Sequence, residues 1–129
     1  MLTISPLTHM EAVALPSLSL AYLGDNVYEI MVREMLVRGG SASPSIEALS
    51  YVTASAQSAS VEKILPHLTE DEEGVYRRGR NAVHSGFPKH ATPSEYKRAT
   101  GLEALFGYLY LTGGEKRLCE LFEMMYPVT

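Results

Sequence analysis

The chain has 129 residues, a hydrophobic share of 46% and a net charge of −4, which fits one globular domain and leaves little room for two. No apolar run is long enough to span a membrane, and Cys119 as the only cysteine excludes an internal disulfide or a thiolate zinc centre. The first ten residues hold Pro6, Thr8 and His9 without a basic cluster, so no signal peptide is predicted and the expected location is the cytoplasm.

The stretch Met1 to Leu15 has no clear periodicity and reads as a lead-in. Pro16 precedes a helix predicted over 17–38, which the pair Gly39-Gly40 stops. Within it, Leu20 to Glu29 is apolar on nearly every side except at Asp25, Asn26 and Glu29. The pattern predicts a helix whose greater part is buried, and a buried carboxylate needs a hydrogen bond, a partner or a metal. Glu29 and Arg33 are spaced as an i, i+4 ion pair, the plainer explanation of Glu29. Tyr22 reads as core.

After the loop 41–45, helices are predicted over about 45–53 and 54–65, with one continuous helix as the alternative, until Pro66 ends them. The Ala- and Ser-rich run 53–60 permits close approach of a neighbouring helix. Thr69 to Glu72 matches a capping box that opens a helix whose C-terminal half carries Arg77, Arg78 and Arg80. The segment 83–91 holds Gly86, Pro88, His84 and His90 and is predicted as a loop. Thr92 to Glu95 is a second capping box, with Pro93 at the first helical position, and the helix it opens should reach Leu111 or Thr112. A last helix is predicted from about Glu115 to Tyr126.

No strand alternation is convincing, and the expected fold is all-α, with six to seven helices in a single domain over residues 1–129 whose core spans roughly 17–126. In the second half, Leu102 to Leu111 is apolar all round with Glu103 as its one charge. Gly24 and Gly107 each lie close to one of the two conspicuous carboxylates, and such helix-interior glycines suggest close helix contact. If the two helices cross there, Asp25 and Glu103 share a site suited to a hard divalent cation. Residues 77–98 also carry six basic side chains against the single acid Glu95. A concentration of positive charge in an acidic chain suggests a face for a polyanion, although a solvated helix end explains it about as well.

Leu23-Gly24-Asp25-Asn26-Val27 resembles the signature helix of the ribonuclease III family, and Glu103-Ala104-Leu105-Phe106-Gly107 resembles its second acidic helix. Tyr76 to Ala82 narrows the resemblance to the Mini-ribonuclease III branch, in which the nuclease domain stands alone. The resemblance covers roughly Leu18 to Gly113. It implies a homodimeric, magnesium-dependent endoribonuclease, with manganese as a substitute, that cuts double-stranded RNA and matures the ends of the 23S ribosomal RNA precursor. Asp25 and Glu103 become the expected catalytic residues and metal ligands. Tyr22, Glu29 and Thr100 are candidates for contact to the metal through water. Arg77, Arg78, Arg80, Asn81, His84, Lys97 and Arg98 are the candidate RNA contacts. The resemblance also implies that the family's usual double-stranded-RNA-binding domain is absent after Thr129, and substrate choice is then expected to fall to the nuclease domain or to a helper, for instance a ribosomal protein. Two departures stand out, because Ala21 and Thr100 occupy places where the family's usual four-acid site has carboxylates. They support an alternative, a catalytically inactive ribonuclease III fold used for RNA binding or assembly.

Overall fold

A computed structural model describes residues 5–128; the first four residues of the expected lead-in, and Thr129, lie outside them. Among the described residues there is no strand, and no helix is long and apolar enough to cross a membrane. The chain runs α1 (His9–Val13), α2 (Ser17–Arg38), α3 (Pro44–Glu47), α4 (Leu49–Val52), α5 (Ala54–Ile64), a 3₁₀ turn at Leu65–His67, α6 (Glu70–Asn81), α7 (Pro93–Leu111) and α8 (Glu115–Met125).

Local chemistry explains most of these boundaries. The Thr69 and Thr92 side chains accept from the backbone N–H of Glu72 and Glu95, and both glutamates reach back to the cap, so both expected capping boxes are formed. Four acids crowd the first turn of α6 while Arg78 and Arg80 lie in its last, which matches the helix dipole. Gly40, with φ at 74°, takes the left-handed conformation that ends α2.

Two expectations are corrected. The lead-in contains a one-turn helix, α1, with its own capping box between Thr8 and Glu11. Five residues are too few to show periodicity, but Ala12 is fully buried and His9 Nδ1 lies 2.7 Å from the Tyr108 hydroxyl, so tertiary contacts hold the turn. The helix expected over 45–53 is two single turns, α3 and α4, and it does not run into α5, because Thr53 is extended and caps α5 instead.

Helix α7 is the central element. From Ala99 to Leu109 every residue is buried except half-buried Glu103. It packs against α2, α5 and α6, and two of these contacts are made through glycines. At the α2 crossing, a Cβ on Gly24 would collide with the Glu103 carbonyl oxygen and lie 2.7 Å from the Gly107 nitrogen, while one on Gly107 would collide with the Leu20 carbonyl. At the α6 crossing, a Cβ on Gly79 would come within 2.6 Å of the Ala104 methyl. Only a residue without a side chain permits either approach.

Gly24→Ala should therefore cost more than the roughly 1–3 kcal/mol usual for overpacking, because the obstacle is main chain and cannot rotate away. Thermal unfolding checks this. A melting temperature equal to that of the wild type would mean that the two helices slide apart freely.

Candidate active site

The glycine crossing decides where the acids meet. Asp25 follows Gly24 directly, and Glu103 supplies the carbonyl on which Gly24 rests. Their side chains come within hydrogen-bond reach of each other. Asp25 is exposed and Glu103 half-buried, so the pair lies at the mouth of the crossing rather than inside the core. Burial first, and then the neighbouring Asp25 charge, pushes the Glu103 carboxyl up to about 8. From the other side, Gln57 Nε2 donates to Glu103 Oε2 at 3.4 Å, which favours the ionised form.

The exposure of Asp25 corrects the expectation of a mostly buried helix, and the reason lies in its neighbours. Leu18, Tyr22 and Ile30 are 50%, 81% and 59% exposed. Helix α2 is apolar all round because one side meets the core and another is an apolar surface. Tyr22 is accordingly not a core residue.

The three outer-shell candidates separate. The Glu29 carboxylate accepts from Arg33 at 3.0 Å, the helix-surface pair that its spacing suggested. The buried Thr100 hydroxyl donates to the Tyr96 carbonyl one turn back at 2.9 Å, and so is engaged by its own helix. Tyr22 stands in solvent one turn before Asp25. Among the described residues no group of three or more His, Cys, Asp or Glu side chains is placed to hold a metal.

Two adjoining carboxylates with an open side nevertheless suit magnesium. They present hard oxygen donors and repel each other when both are ionised, a strain that a divalent cation relieves. Magnesium is commonly bound by only one or two carboxylates, with water and substrate phosphate filling the remaining positions.

The basic segment divides over three places. Arg80, Asn81, Lys97 and Arg98 line one cleft together with Pro93 and Ser94 at the start of α7. Within it, Arg80 Nε donates to Asn81 Oδ1 at 3.2 Å, its guanidinium lies 5.7 Å from the Tyr76 ring centre, and Arg98 is tied to Glu62 of α5. His84 lines a smaller neighbouring cleft with Leu18, Tyr96 and Thr100. Arg77 pairs with Glu73 at 2.8 Å, and the Arg78 guanidinium folds back over Gly74. The sequence reading did not single out Gln57, a long polar side chain only 2% exposed. Its one visible signal was its size and polarity in a run of alanines and serines.

Comparison with known proteins places the fold in a family. The family model of the ribonuclease III domain matches residues 18–114. The chain is 51% identical over 112 residues to Mini-ribonuclease 3 of Symbiobacterium thermophilum, covering 84% of this chain and 86% of the relative. It is 46% identical to Mini-ribonuclease 3 of Enterococcus faecalis, with 83% and 85% covered. A solved crystal structure of a Fusobacterium nucleatum protein superposes with a TM-score of 0.78 at 31% identity, covering 87% of this chain and 93% of that one. With two carboxylates meeting at the α2–α7 crossing inside the matched segment, the chain belongs to the ribonuclease III family of endoribonucleases.

Proposed function

We propose that this protein hydrolyses double-stranded RNA with magnesium as its cofactor, manganese substituting, and that its substrate is the precursor of 23S ribosomal RNA. The observation that carries the reading is the pair Asp25 and Glu103, side by side at an open mouth where two helices cross. Bound there, the cation supplies charge neutralisation at the phosphate and a water of lowered pKa. Asp25 and Glu103 would hold it, Asp25 from the solvent side and Glu103 from the half-buried side. The ribosomal substrate, and a ribosomal protein as helper, rest on the likeness to Mini-ribonuclease III.

A duplex is recognised largely through phosphates and 2′-hydroxyls. The cleft of Arg80, Asn81, Lys97 and Arg98 offers cationic and amide donors at the start of α7, the helix that also carries Glu103. That shared helix couples phosphate binding to the position of the acids. Arg77, Arg78 and His84 lie outside this cleft and make weaker candidates for contact.

The rival reading, an inactive ribonuclease III fold used for binding, draws support from Ala21 and from the internal bond of Thr100, which leave the site with two acids. Cleavage assays separate the two. A long RNA duplex and a duplex built from 23S precursor ends should both be cut with magnesium and left intact in EDTA. Asp25→Asn should lower turnover by more than the roughly 100-fold that losing an outer-shell partner costs, with helix content unchanged. Cleavage in EDTA, or wild-type turnover in the variant, would refute the mechanism.

Salt dependence reports on the basic cleft. Arg80→Ala combined with Lys97→Ala should reduce the slope of log affinity against log salt by about one per cation removed. An unchanged slope would mean that the RNA lies elsewhere.

The exposed apolar residues of α2, Leu18, Tyr22 and Ile30, with Val37 at 68% exposed, support a homodimer that covers this face. Light scattering at micromolar concentration should give twice the chain mass, and Tyr22→Glu should shift it toward the monomer by placing a charge in the interface. A wild-type monomer that retains activity would contradict the dimer.

A further inference from the structure

We propose that Gln57 is a positioning residue for the acidic pair, its amide holding Glu103 so that the carboxylate keeps its place beside Asp25. The proposal rests on the metal-site reading above and adds to it a residue from a third helix.

Gln57 is 2% exposed on α5, among alanines and serines. Burying an amide costs free energy unless it is hydrogen-bonded, and a methionine would fill nearly the same volume without that cost. Packing alone therefore does not account for a glutamine there. Its Nε2 reaches Glu103 Oε2 at 3.4 Å. This is longer than an ordinary N–H···O bond, as hydrogen bonds of unloaded sites often are, and leaves room to tighten when the site is occupied. The donor is neutral, and that matters. A lysine or arginine in its place would neutralise Glu103 and compete with a cation, whereas an amide satisfies one oxygen and leaves the negative charge intact.

The helix that carries Gln57 is also fixed in place. One turn along α5, Ser60 Oγ lies 2.7 Å from the Tyr126 hydroxyl, which lies 2.6 Å from the Tyr28 hydroxyl. Tyr28 in turn donates to the Tyr51 carbonyl at 2.8 Å. Tyr28 stands three residues after Asp25, and Ser60 three after Gln57. The helices that carry Asp25 and Gln57 are thus pinned to a common hydroxyl, and Lys63 Nζ ties α5 to the Met125 carbonyl at 3.0 Å. With α5 fixed in this way, the backbone from which Gln57 reaches Glu103 keeps its place relative to α2.

The test uses the full chain with manganese as probe, its binding read from the loss of the free-ion signal in electron paramagnetic resonance, beside magnesium titrations of duplex cleavage. Gln57→Met should weaken manganese binding by about 10-fold or more, raise the magnesium needed for half-maximal cleavage to match, and leave KM for RNA unchanged. In a Glu103→Gln background, Gln57→Met should produce no further change in manganese binding, since the group it positions is already gone. If Gln57→Met does not fold, Gln57→Asn keeps the amide but draws it back by one methylene, and should weaken manganese binding in the same way. Wild-type manganese affinity in a folded Gln57 variant, with only a lower melting temperature, would overturn the proposal and make Gln57 a packing residue. A wild-type protein that binds no manganese and cuts RNA in EDTA would instead bring down the metal-site reading, and this proposal with it.

Discussion

The contact of two helix backbones at Gly24 and Gly107 is the constraint on which the rest of the molecule depends. Side chains normally keep helix axes 8–10 Å apart. Removing them at one point lets α2 and α7 touch through main chain, with the Glu103 and Leu20 carbonyls filling the space that side chains would need. Acids on two helices come together only because the helices do. A wider crossing would leave Asp25 and Glu103 as separate charges, each solvated on its own. The second glycine contact, Gly79 on Ala104, brings α6 close on another side of α7, and α6 carries Arg80 and Asn81 with it. One helix thus gathers the carboxylates and the basic cleft.

The electrostatics of the pair are asymmetric. Glu103 is half-buried and has Asp25 on one side, so its charged form is disfavoured twice. Asp25 faces solvent. Such a pair is under strain when both groups are ionised and is relieved by a cation, which is the behaviour expected of a metal site rather than of a structural ion pair. The contrast lies elsewhere in the same chain. Glu72, which is buried, is clamped by Arg117 through two bonds of 2.8 and 2.9 Å, and Arg117 bonds the His67 carbonyl as well. There the carboxyl is held below its usual range, although burial works against this. The two acids differ in whether the protein supplies the counter-charge. At Glu72 it does, and at Glu103 the described residues supply the neutral amide of Gln57.

Much of this was legible in the residues. The capping boxes at Thr69 and Thr92, the helix 17–38, the ion pair of Glu29 with Arg33 and the two glycines beside the two acids follow from spacings of three and four along one chain. Local rules govern such features, and local sequence carries them. The five-residue helix α1 escaped because a single turn shows no periodicity and is held by contacts to α7, about a hundred residues away. The break between α3 and α4 escaped because two single turns in succession leave the same spacing in the sequence as one short helix.

What the sequence by itself determined is the long helices and the placing of each of the two acids beside a helix-interior glycine, since propensity, caps and the glycine-carboxylate spacing are written within a few residues of one another. Only the tertiary structure decided which side of each helix faces what. Apolar residues on every side of α2 carry no label that separates a core face from an exposed one, so Tyr22 and Asp25 were read as buried and are not. The division of Arg77, Arg78, Arg80 and Lys97 among different surroundings depends on how α6 rolls onto α7 at Gly79. The place of Gln57 beside Glu103 depends on a third helix docking 46 residues away in the chain. These are relations between elements, and a linear pattern records each element without the orientation that joins them.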